Sequence, residues 1–442
     1  MEDARNRPSG RAGAAEIIDS CVNQSGPRVS KRISWESIRP WPLYLTAAML
    51  PFSLAGTNIG KVLMLLFALA ALVEAALRRE PPQALARLRT PVVIGVMLLV
   101  LALSLAWTTA PMADALQGLN KYSKLLVIPI VLLLVRQRRE ALITLGIYVG
   151  VESFVVFTSY LLAMGVSVPW VVKPLWIRMH PATVSSSYLD QSIMTVGLAS
   201  LAWHLRNEFP GRHGPRIAIA LVVLCALNVL LLLPGRSAQV ALVVAMVLSL
   251  FWAVPRRARP VAVLLPMLVV TAVMALSPHF RDRITAVATE SIAYTNGDRS
   301  PTSSGIRLSL WHRALQAIRE RPLAGHGVGS WNTVYRRMEG KQLSPVFATM
   351  HNPHQEYLLW GVHLGVGGIM LLLAFGLALV RDARPFRADV RHATYSLIAI
   401  LAVVCLFNST LFDALIGDYF CFLLAVLLAL GMASLPQPEA AA

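Results

Sequence analysis

Twelve apolar runs, at about 37–56, 59–77, 90–108, 114–135, 140–164, 186–204, 216–234, 237–254, 260–277, 355–380, 392–411 and 414–434, occupy most of this chain. Most come close to the ~20 residues that a helix needs to cross a bilayer. The composition agrees: of 442 residues 56% are hydrophobic and 14% charged, and the mean hydropathy is +0.60, too apolar for a water-soluble globule. The expected fold is an all-α polytopic membrane protein of about twelve transmembrane helices, with one long, partly helical loop between spans nine and ten.

A formal charge of +17 raises the question of nucleic acid. The basic residues, however, sit in short clusters between apolar runs, where they report membrane orientation and not a nucleic-acid face. Arginine clusters at 78–89, 136–139, 206–216, 256–259 and 381–391 fill every second connection, together with the basic N-terminal tail. Those connections are expected in the cytoplasm. The alternate ones, near Gly56, Pro111, Val166 to Ser187, Gly235, Pro278 to Pro353 and Asn408, are then expected on the far side. The long interval carries more basic than acidic residues, but loops longer than ~60 residues escape the charge rule.

The expected organisation follows. Residues 1–36 form a disordered basic cytoplasmic tail without the apolar core and cleavage site of a signal peptide. Helices one to nine span 37–277, a large loop domain covers 278–353, helices ten to twelve cover 354–434, and 435–442 return to the cytoplasm. The four cysteines, Cys21, Cys225, Cys405 and Cys421, lie in the tail or in apolar runs, so no disulfide framework or zinc site is implied.

Five of the ten histidines lie between His279 and His354, so the chemistry is expected around the polar interval. Within it, Leu310, Trp311, Ala314, Leu315 and Ile318 recur at helical spacing, which predicts an amphipathic helix over 306–320 with Ser303 or Ser304 as cap. Arg307 falls in its first turn, where the helix dipole disfavours a cation. Two environments suit it: lipid headgroups reached by snorkelling, or an anion held jointly with the amides of the helix start.

Arg236, in Leu233-Pro-Gly-Arg-Ser-Ala238, sits in a tight turn between two apolar runs on the same side as the long interval. It reads either as a headgroup anchor or, with Arg307, Lys121 and Lys124, as part of a basic lining for a lipid diphosphate. Lys121 and Lys124 are one turn apart near the outer end of their run, where a charge costs less than at mid-membrane.

Where the interval re-enters the membrane the chain reads Met350-His-Asn-Pro-His-Gln-Glu-Tyr-Leu-Leu-Trp360. Pro353 suits a first helical position with Asn352 as cap, which puts His354 in the first turn, where the dipole favours the neutral imidazole that accepts a proton. An interfacial residue without chemistry is the alternative. His351-x-x-His354 lacks the helical pairing and carboxylate of a zinc motif, so no metal is expected. His326, in Gly325-His-Gly-Val-Gly329, belongs to a glycine turn that follows no strand, which argues against a nucleotide loop.

His354-Gln355, nine residues, Gly365, two residues and Gly368 resembles the signature of the O-antigen ligases. Arg307 with Trp311, then Pro322 to Trp331, is similar to the start of the large periplasmic loop in the wider ligase and polymerase superfamily, and Pro234 to Ala238 resembles its arginine turn. The resemblance implies transfer of O-antigen polysaccharide from undecaprenyl diphosphate to lipid A-core, on the periplasmic face of a Gram-negative inner membrane, with both termini cytoplasmic. It implies neither nucleotide nor divalent metal, and partners limited to the two glycolipids and membrane lipid. In that reading Arg236 and Arg307 bind the diphosphate and His354 is the general base. Lys121, Lys124, Trp311, His326 and Gln355 are further candidates for substrate binding. An O-antigen polymerase or a protein O-oligosaccharyltransferase would use the same donor and differ in acceptor alone. A secondary transporter or lipid flippase would also have about twelve helices, but no repeated halves are visible. The role of Asp413 stays open between steadying a basic residue and ending a helix.

Overall fold

The computed structural model describes residues 34–79, 83–171, 180–184, 187–276, 278–296, 302–340 and 351–435. Almost all of the tail expected at 1–36 and of that at 435–442 lies outside the described residues. Two units separate after Arg39. Of the first, the described part is a helical turn, Trp35–Ile38, followed by Arg39, whose Nη2 meets Glu36 Oε2 at 2.8 Å.

The second unit is helical, with no strand among the described residues. In chain order it holds α1 (Trp41–Met49), α2 (Leu54–Arg78), α3 (Thr90–Leu103), α4 (Met112–Tyr122), α5 (Val127–Leu134), α6 (Arg138–Ala163), α7 (Tyr188–His204), α8 (Gly214–Leu227), α9 (Arg236–Ala253) and α10 (Arg259–Leu276). Then follow α11 (Pro278–Thr295), α12 (Ser303–Glu320), α13 (Trp331–Glu339), α14 (Glu356–Ala383), α15 (Ala388–Val404) and α16 (Ala414–Met432).

Among the described residues six helices are long and apolar enough to cross a membrane: α2, α6, α8 with its continuation to Leu232, α9, α14 and α16. Several of the twelve runs are shorter as helices or broken. Run 37–56 divides because α1 ends at Met49, Pro51 has no N–H to continue it, and Ser53 Oγ accepts from the Gly56 amide to start α2. Run 114–135 divides into α4 and α5 around a 3-10 turn, Ser123–Leu126. Both α7 and α15 have 17 residues.

The innermost element is α16, with 94% of its most apolar stretch buried. It packs against α5, α6, α7 and α15. That explains an apolar run without an amphipathic stripe: a helix enclosed on all sides needs no polar face.

The polar interval is mostly helix. Its amphipathic segment is α12, which turns Leu310, Ala314 and Ala317 inward against α14. The cap is Thr302, whose side chain accepts from the Gly305 amide at 3.1 Å, one or two residues earlier than the expected Ser303 or Ser304.

The far end of α12 is held by the glycine turn. The amides of His326 and Gly327 donate to the carbonyls of Val362 and His363, and Val366 donates to Pro322 O at 2.8 Å. Those carbonyls are free because α14 kinks at Gly365, which adopts φ 65°, a conformation that L side chains rarely take. A Cβ there would stand 2.2 Å from Pro322 O. The same turn reaches the connection before α4, where Thr109 donates to His326 O and Ser104 Oγ accepts from the Val328 amide. The glycine turn and the kink at Gly365 together fix α12 against α14.

Candidate active site

Three guanidinium and imidazole groups far apart in sequence come together at the start of α9, the start of α12 and the segment before α14. Arg236 and Arg307 both line a cavity of about 300 Å³, with Ser237, Ser304, Trp311 and Phe407 among its walls. Arg236 is oriented by its bond from Nη1 to Ser304 Oγ, 3.2 Å. Arg307 makes no hydrogen bond or ion pair among the described residues. Burial and the neighbouring Arg236 push its pKa down, Tyr188 pulling the other way. A guanidinium nevertheless remains protonated. The result is a half-buried cation facing a cavity, an arrangement that an anion would stabilise.

An acidic side chain already sits at the edge of this anion site. Glu290 of α11 accepts from the Ser304 amide at 2.9 Å and stands 4.0 Å from Arg236. The amides at the start of α12 therefore do attract negative charge, as the helix dipole requires.

His354 lies close enough to Arg307 to feel its charge. Burial first, and Arg307 second, hold the imidazole down at about 4, so it is neutral at pH 7. Its backbone differs from the expected first-turn position. The helix starts at Glu356 with Gln355 as cap, and His354 precedes it at φ 51°, outside the helix. The conformation is stabilised by Asn352, whose Oδ1 accepts from the His354 amide at 2.8 Å. Asn352 thus closes a turn instead of capping a helix, and Asn352 Nδ2 reaches Asp413 Oδ1 at 3.4 Å.

The other candidates separate into those at the cavity and those elsewhere. Trp311 lines it. Gln355 uses its Oε1 to cap α14, accepting from the Leu358 amide at 2.6 Å. Lys121 lies over the Phe412 ring, 3.9 Å from its centre. Lys124 turns inward to the carbonyls of Phe412, Asp413 and Ala414. The lysines therefore converge on the corner before α16, away from the walls of the arginine cavity. Their charges oppose the burial that raises Asp413 to about 6. His326 is in the glycine joint, where its Nε2 bonds the Ala317 carbonyl at 3.0 Å. Burial lowers its pKa.

Sequence reasoning did not single out Glu356. Fully buried, it accepts from the Leu411 and Phe412 amides with Oε2 and from Trp360 Nε1 with Oε1. It locks the chain before α16 to the start of α14. Its position two residues after His354 was the available signal, but a carboxylate beside an apolar run gives no hint of amides that arrive from 55 residues away. Among the described residues no three His, Cys, Asp or Glu side chains gather as a metal site would need; His351 Nδ1 instead faces Asn332 Nδ2 at 3.1 Å.

Residues 220–373 match the family model described as O-antigen ligase, a stretch that contains Arg236, Glu290, Arg307, His354, Gly365 and Gly368. This match supports membership of the O-antigen ligase/polymerase superfamily. A relative from Haemophilus influenzae, described as an uncharacterized protein, is 29% identical over 100 residues. That stretch is 22% of this chain and about a quarter of the relative. The match supports a coarse reading of the chain as a glycosyltransferase-like ligase or polymerase.

Proposed function

We propose that this chain is an O-antigen ligase, which transfers O-antigen polysaccharide from undecaprenyl diphosphate to lipid A-core oligosaccharide at the periplasmic face of the inner membrane. The observation that carries the reading is the pairing of Arg307, a cation without a partner among the described residues, with a neutral His354 beside it.

In the reaction, an acceptor hydroxyl attacks the anomeric carbon of the donor's first sugar. The bond from that carbon to the diphosphate oxygen breaks, and the lipid diphosphate leaves with the electron pair. Arg236 and Arg307 offset the negative charge that develops on it. His354 takes the hydroxyl proton as attack proceeds, a contribution typically about 10² to 10⁴ in rate. One displacement inverts the anomeric carbon. Among the described residues the cavity walls hold no carboxylate nucleophile, and Glu290, beside Arg236, is turned to the Ser304 amide.

The match of 220–373 is common to ligases and polymerases; the choice of lipid A-core as acceptor rests on Gln355 after His354 and on the spacing of Gly365 and Gly368, which resemble the ligase signature. Reconstitution with lipid-linked glycan and lipid A-core in EDTA tests the reading. Glycan joined to lipid A-core is the expected result; glycan chains lengthened on the donor lipid, with lipid A-core unmodified, would replace it with a polymerase.

A further inference from the structure

A second cavity, of about 330 Å³, lies where the starts of α2, α7 and α16 meet. Its polar lining consists of Ser187, Asp190, Asn408 and Asp413, between aliphatic walls that include Leu54 and Ile193. Among the described residues no lysine or arginine lines it, whereas the first cavity has two arginines and no carboxylate in its walls.

The two cavities are neighbours. Asn408, in the wall of the second, donates from Nδ2 to Oγ of Ser237, in the wall of the first, at 3.1 Å. Asp413 connects the second cavity to the candidate base through Asn352, which bonds both the Asp413 carboxylate and the His354 amide.

The linings select opposite chemistries. Lys121 and Lys124 balance Asp413 from outside this lining, so the cavity itself presents acceptors for hydroxyl groups and no cation for a phosphate, and a serine and an amide beside the carboxylates suit the same neutral, hydroxyl-rich ligand. Asn408 uses its Nδ2 on Ser237, and no described residue donates to its Oδ1, which leaves that acceptor available at the cavity wall. The volume is at the low end for small-molecule sites, enough for one sugar ring and too small for a polymer.

We infer that this cavity is a carbohydrate subsite that holds a single sugar residue beside the diphosphate cavity. The inference rests on the glycosyltransferase reading above. That sugar belongs either to the donor, next to its diphosphate, or to the acceptor, with its hydroxyl directed at His354.

Binding to the purified full-length protein by native mass spectrometry distinguishes the sources. The probes are sugar-free undecaprenyl diphosphate, the glycan-bearing donor, and lipid A-core. Asp190→Asn is the first variant and Ile193→Phe, which fills the cavity, the second. Loss of hydrogen bonds to one sugar should weaken one glycan probe about tenfold, with sugar-free undecaprenyl diphosphate bound as by wild type. If the donor is the weakened probe, the subsite holds the donor sugar; if lipid A-core is, it holds the acceptor's. Glycan binding unchanged in both variants would overturn the inference, as would equal weakening of the sugar-free lipid. Wild-type protein that binds all three probes yet joins no glycan to lipid A-core would count against the ligase reading and leave the subsite standing.

Discussion

The charge of Arg307 reaches His354, and together with burial it holds that imidazole at about 4. One arginine thus has two effects: it offers a positive charge to a leaving group and it keeps the neighbouring base unprotonated. The acid limb of the rate should lie near that value, because the imidazole gains its proton only as pH falls towards 4. Removing a nearby cation makes protonation easier. Arg307→Gln should therefore raise the His354 pKa, read by NMR titration of the labelled imidazole. An unmoved pKa would mean that the two groups do not share one environment.

His354→Ala should reduce ligation by about 10² to 10⁴, the range for a lost general base. Turnover of the purified variant with lipid-linked glycan and lipid A-core measures it. Melting temperature should change little, since the side chain is not part of the buried core. Undiminished turnover would remove His354 from the chemistry.

Glu290 competes with any anion for the Ser304 amide and for Arg236. In Glu290→Gln, inorganic pyrophosphate should inhibit more strongly, by about threefold to fivefold, the scale of a partly solvated ion pair. Weaker inhibition would instead make Glu290 part of the binding machinery.

Gly365→Ala should be destabilising by about 3 kcal/mol, since it combines an unfavourable backbone conformation with a forced contact. The contact is the carbonyl of Pro322, which also anchors Val366. Melting temperature and ligation should fall together, because the joint that sets α12 against α14 opens. Gly367→Ala, with open space around its Cβ position, should leave both unchanged.

Asn352→Ala should slow turnover with little change in donor binding, since the His354 amide loses its acceptor and the φ 51° turn its support. A split between kcat and KM reads this role. If donor KM rises and kcat holds, Asn352 contacts substrate and does not position the base.

Local patterns made part of this protein legible from sequence. The apolar runs marked the helices because burial in lipid or in a helical core demands long unbroken apolar stretches. The spacing of Leu310, Ala314 and Ile318 marked α12, since one face of a helix repeats every three to four residues. Arg236, Arg307 and His354 stood out as polar groups at apolar boundaries. Tertiary structure decided the rest. It assigned Lys124 to the carbonyls before α16 and His326 to the glycine joint, set Glu290 at the start of α12, and put Glu356 beneath Leu411 and Phe412. Each depends on a partner distant in the chain. A residue's own neighbours fix its backbone preference, but the charge or hydrogen bond it meets depends on which helix ends the packing brings together.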